Sequence, residues 1–119
     1  MPVRSLNSPV LRWPDARTVE RALCRWAEGL ARQRPEVLRI GYFGSYARGD
    51  WGVGSDLDVV IVVSHSNRPF VGRACAWDAT ELPVPADVLV YTEKELEGRM
   101  REGRFGGALR DEARWVYTR

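Results

Sequence analysis

The run Val59-Val60-Ile61-Val62-Val63 constrains this chain more than any other stretch. Five consecutive β-branched residues are stiff in a helix and pack well on a pleated surface, so Leu57 to Val63 reads as a strand. It has no polar alternation, which means both of its faces need cover and its place is inside a sheet. Directly ahead of it stand two acids, in Ser55-Asp56-Leu57-Asp58. Residues two apart in a strand point to the same side, ~6.5–7 Å apart along the chain. Asp56 and Asp58 therefore project together at the mouth of a buried element.

Around this strand the pattern predicts the other elements. Val19, Leu23, Trp26 and Leu30 recur at helical spacing from Asp15 to Arg34, with Pro14-Asp15 as entry and Pro35 as exit. The outer face of that helix carries Arg17, Arg21, Arg25, Glu28 and Arg32, which reads as a solvated surface. Val37 to Phe43 reads as a short strand ending at Gly44, and Ser45 to Arg48 as a helical turn before the loop GDWGVGS. A third strand is expected from Ala86 to Tyr91. Thr92-Glu93-Lys94-Glu95 then has the form of a capping box opening a helix to about Glu102, and Arg114 to Thr118 reads as a last strand. Phe70 to Trp77 has a helical cast, and Leu82 to Pro85 is irregular because of its two prolines. The order of elements implies an α+β sheet with helices on it, without the regular repetition of a doubly wound parallel sheet.

Composition narrows the function. At 119 residues the chain is expected to form a single domain, 1–119, that folds without a staple. Its net charge is +2, and Lys94 is the lone lysine among its basic residues. No arginine run is long enough to make a nucleic-acid stripe, so direct nucleic-acid binding is not expected. Cys24 and Cys75 form no CxxC pair; Cys24 in its helical pattern reads as a buried free thiol. MPVRSLNSPVLRWPD lacks the apolar core of a signal peptide, and Val59–Val63 is far shorter than the ~20 residues of a membrane helix. A reduced, cytoplasmic protein is the expectation.

The paired acids carry the chemistry. Two carboxylates on one side repel, raising the proton affinity of one or drawing a cation between them. Magnesium suits the role, as a hard ion that takes carboxylate oxygens and completes its shell with water and phosphate. Displacement at phosphorus between two such ions normally uses a further acid. Asp87, at the start of the third strand in PADVLVY, is the candidate, since an unpartnered carboxylate beside a buried element is costly. Gly44 permits a close backbone approach, and the amides opening the turn with the Ser45 hydroxyl could cradle phosphate oxygens. GSYARGD has no GK[ST], so this is not a P-loop, and Arg48-Gly49-Asp50 reads as a chance match to an adhesion tripeptide.

Taken together, GSYARGDWGVGSDLDVVIVV resembles the signature of the polymerase-beta-like nucleotidyltransferase superfamily, a glycine-serine turn followed by SDxD leading into an apolar strand. GSYARGD with SDLD is similar in particular to the minimal nucleotidyltransferase (MNT) group. The resemblance covers Gly41 to Val63 and extends to Asp87–Tyr91. It implies a small mixed sheet with helices packed mainly on one face. It also implies that Gly44, Ser45 and Ser55 contact the nucleotide, that Asp56, Asp58 and Asp87 ligate magnesium, and that Asp87 helps deprotonate the attacking hydroxyl.

The implied reaction moves a nucleoside monophosphate, with ATP as donor, onto a hydroxyl. The chain is too short for a separate acceptor-binding domain, and MNT-like proteins pair with a helical HEPN protein as antitoxin to its toxin. The resemblance thus implies protein adenylylation of such a partner, in a homodimer or hetero-oligomer. Two alternatives stay open: a module that neutralises its partner by contact alone, and adenylylation of a small molecule such as an aminoglycoside. Trp13, Trp26, Trp77 and Trp115 read as core or interface aromatics, His65 as a surface residue and Arg48 as a structural ion pair. Trp51 sits beside the acids, placed to flank a nucleotide or face a partner.

Overall fold

The computed structural model describes residues 13–101 and 103–119. The readings made on residues 1–12, on the Cys75 side chain and on Glu102 lie outside the described residues. Helix α1 spans Ala16–Gln33. The Asp15 carboxylate caps it by accepting from the Thr18 amide at 2.8 Å, a bond that holds this carboxyl below its ordinary range. Val19, Leu23, Trp26, Ala27 and Ala31 form its buried stripe, while Cys24 is half-exposed rather than buried. Cys24 falls between that stripe and the charged side, where burial, then Glu20 and Glu28, push its thiol up.

Strand β1 (Val37–Phe43) runs antiparallel to β2 (Leu57–Val63), with the turn α2 (Ser45–Arg48) following β1. β3 (Ala86–Thr92) runs parallel to β2, and β4 (Arg114–Thr118) antiparallel to β1. The sheet order is β3-β2-β1-β4, so the β-branched run occupies an interior strand.

Cover comes from both sides rather than mainly from one. Leu57, Val59, Ile61 and Val63 pack with α1, whereas Val60 and Val62 join Leu96 of α4 (Glu93–Arg101) and Leu109 of α5 (Gly103–Glu112). An interior strand apolar on both faces requires this. At Gly103 the backbone takes φ +67, a left-handed conformation that lets the chain turn between α4 and α5. Among the described residues no helix is long and apolar enough to cross a membrane.

The capping box forms as its residues predict. The Thr92 amide donates to Glu95 Oε1 at 2.8 Å, and the Glu95 amide donates to Thr92 Oγ1 at 3.3 Å. The same carboxylate also accepts from both terminal nitrogens of Arg73, at 2.5 and 3.2 Å. Arg73 lies in the short helix α3 (Phe70–Arg73) and is 6% exposed. Glu95 thereby ties the 66–85 segment to the start of α4. The Arg73 bonds hold its carboxyl down to about 2, against an ordinary 4.5.

A folded pKa below the unfolded one gives stability that is complete above pH ~4.5 and lost as pH falls towards 2. Glu95→Gln should cost roughly 1–2 kcal/mol at pH 7, kept modest because Glu95 itself is partly solvated. The urea midpoints of parent and variant should converge between pH 5 and pH 2; a gap independent of pH would remove the ion pair from this account.

Candidate active site

Register brings the site residues together. Phe43 pairs with Asp58 across the antiparallel ladder, and Asp58 with Asp87 across the parallel one. Residues directly paired in a sheet project from the same face, so Asp58 and Asp87 stand side by side on the α4 side, in phase with Val60 and Val62. Asp56 lies one step ahead of β2 and is exposed, as is Asp87, while Asp58 is half-buried. The Asp58 carboxyl is pushed above its ordinary value, chiefly by burial and then by the charges of Asp87 and Asp56, with Arg48 opposing.

Gly44 stands at the end of β1 with φ +79, and a Cβ built there would lie 2.1 Å from Asp58 Oδ2. The glycine is therefore what admits the Asp58 carboxylate to this position. The Gly44 carbonyl accepts from the Ala47 and Arg48 amides, so the turn presents the amides of Ser45 and Tyr46 at its open end. Ser55 is engaged in the fold of its loop: its hydroxyl accepts from the Gly52 amide at 2.8 Å, and its own amide donates to the Gly52 carbonyl.

Arg48 forms the ion pair read from the sequence, to Asp50 at 3.1 Å and also to Glu112 of α5 at 3.2 Å. Trp51 stacks on Tyr46, ring centroids 5.4 Å apart and planes nearly parallel, and the Tyr46 hydroxyl accepts from Trp13 Nε1 at 2.7 Å. Both aromatics fasten the GDWGVGS loop to the turn. His65 is exposed, as read from the sequence.

A cleft of about 1230 Å³ opens at these acids. Asp58, Asp87, Phe43 and Leu89 line it together with a wall running from Trp77 to Pro85. The sequence marked Pro83 and Pro85 as irregular but contains no local signal that they face the acids. Among the described residues no three acid, histidine or cysteine side chains form a group that could hold a metal by themselves. The donors present are hard carboxylate oxygens, and burial together with the charges of Asp87 and Asp56 already lifts Asp58. That suits magnesium, which is usually bound through one or two carboxylates, with substrate phosphates and water completing its shell.

Residues 23–108 match the model of a family described as "Nucleotidyltransferase domain". A comparison with curated proteins by sequence found no match. Among solved structures, a candidate nucleotidyltransferase from Sulfolobus solfataricus superposes with a TM-score of 0.65 at 20% identity, over 87% of this chain and 84% of that one. A toxin-antitoxin complex with AMP-PNP gives a TM-score of 0.52 at 18% identity, over 81% of this chain and 73% of that one. A mutant of the toxin-antitoxin MntA-HpeT gives 0.53 at 14% identity with the same coverage. At these identities the likeness is one of fold, the polymerase-beta-like arrangement of a small mixed sheet with flanking helices.

Proposed function

This chain belongs to the nucleotidyltransferase domain family, and from that premise we propose that it transfers AMP from ATP to a hydroxyl of a partner protein, as the antitoxin of a HEPN-type pair in the cytoplasm. The observation that carries the reading is the group Gly44, Asp58 and Asp87, in which a glycine just past the end of β1 makes room for one carboxylate and the sheet register sets a second beside it. Two solved structures of similar fold are of toxin-antitoxin complexes, one of them with AMP-PNP, which supports the choice of partner and of adenine nucleotide.

Asp58 and Asp87, with Asp56 at the rim, would hold magnesium. When bound, that ion neutralises triphosphate charge and lowers the pKa of the acceptor hydroxyl. The residues of the chain supply position and proton transfer. Asp58 is fixed by the rigid buried strand behind it, and Gly44-Ser45 offers backbone amides to the phosphates from the adjacent strand end. Asp87 is exposed to the cleft and is the carboxylate able to take the acceptor's proton.

Incubation with labelled ATP, magnesium, an aminoglycoside and the protein encoded by the adjacent reading frame tests this. Label on that protein is the expected result. Tight binding with no label would replace transfer by neutralisation through contact, and label on an aminoglycoside alone would redirect the acceptor to small molecules.

A further inference from the structure

β3 is an edge strand, and the hydrogen bonding of its inner side reveals what its outer side offers. The Leu57 amide donates to the Pro85 carbonyl at 2.8 Å, and Leu57 is in register with Ala86. In a parallel ladder this phase turns the N–H and C=O of Asp87 and Leu89 towards β2, and those of Ala86, Val88 and Val90 outward. The outward Val90 carbonyl accepts from the buried Arg73 guanidinium at 3.2 Å, in agreement with that phase. Arg73 thus plugs the edge at Val90, while Pro83 and Pro85 bound it at the other end. Between them, no hydrogen bond among the described residues uses the outward groups of Ala86 and Val88.

This open stretch flanks Asp87 and borders the cleft that reaches Asp58. We propose that the acceptor is an extended polypeptide segment that adds to the sheet along Ala86–Val88 and sets its hydroxyl-bearing residue opposite Asp87. The proposal rests on the transfer reaction above. Neighbouring strands lie ~4.8 Å apart, so a residue paired with Asp87 continues the row that Asp58 and Asp87 begin and brings its hydroxyl against the Asp87 carboxylate.

Outward N–H and C=O groups repeating every second residue match a peptide backbone, in the manner of β-strand addition. The cleft also exceeds the ~300–1,000 Å³ of ordinary small-ligand pockets. In the reaction the acceptor oxygen bonds to the α-phosphorus as the bond from that phosphorus to the α,β-bridging oxygen breaks. Its electron pair leaves with pyrophosphate, and the hydroxyl proton passes to Asp87.

Val88→Pro tests the edge, because the lost N–H points outward and β2 loses no ladder bond. Label transfer to the adjacent-frame protein should fall about tenfold or more, the effect of one missing hydrogen bond and a steric block. Thermal melting checks that the variant folds. In the parent, amide exchange at Ala86 and Val88 should be fast alone and slow with that protein present, a measurement that stands even if the variant does not fold. Undiminished transfer by folded Val88→Pro would overturn the proposal. So would amides already protected without the partner, or protected only as the chain self-associates. Protection by the partner with no label in the parent would instead reject the transfer reaction and keep the edge as a docking strand.

Discussion

We expect Asp58→Asn to cut nucleotide transfer ~10³-fold or more while raising the melting temperature of the metal-free protein by roughly 2–5 °C. The two effects share one cause. Asp58 is held half-buried against Asp87 and Asp56, and burial first, then those charges, raise its pKa. For an acid, a raised folded pKa makes the ionised form a burden on the fold. Its cost is absent at low pH and grows as pH rises from the ordinary 3.8 through the raised value.

Asparagine keeps the shape and removes that charge. The melting difference between variant and parent should therefore open as pH rises from 3 towards 7. Magnesium should then stabilise the parent, by binding the native state alone, and leave Asp58→Asn nearly unmoved. Asp56→Asn should also abolish transfer, but with less gain in stability because Asp56 is exposed. A variant at either position that transferred at the parent rate would refute the metal-binding role.

The second large effect belongs to Gly44→Ala, expected to reduce transfer ~10²-fold or more and to destabilise the fold by about 1–2 kcal/mol. An L-residue at φ +79 is strained in itself. Its methyl group would also stand 2.1 Å from Asp58 Oδ2, so the carboxylate has to leave the position from which it faces Asp87. Removing the obstruction separates the two contributions. In an Asp58→Ala background, Gly44→Ala should retain the backbone cost and lose the rest, a coupling that a double-mutant cycle measures. If the destabilisation is equal in both backgrounds, Gly44 does not shape the acid site.

Local signals were the legible part. β1, α2, β2 and β4 begin and end where their residues predict, and the Thr92–Glu95 capping box forms, because each depends on neighbours in sequence. α5 is not legible: GRFGGALRDE carries three glycines, each unfavourable in a helix, and Leu109 buried against Val60 and Val62 supplies what propensity does not. Glu95 carried the capping signal, yet its bond to Arg73, 22 residues away, has no trace in the local pattern. Ser55 belongs to the motif, but its hydroxyl serves the loop. The motif marks Arg48 as paired, while the Glu112 half of that pair comes from an element the pattern does not announce.

By itself the sequence determined an interior β-branched strand, two acids at its mouth on one face, and a glycine at the preceding strand end, since periodicity and steric preference act over a few residues. Only the tertiary structure decided that β3 lies parallel to β2 with Asp87 opposite Asp58, that Gly44 is pressed against that carboxylate, and that Arg73 takes up the Val90 carbonyl on the outer side of β3. These are contacts between residues 14 to 29 positions apart. They are set by which faces and edges must be buried together when the sheet closes, and no local pattern encodes that choice.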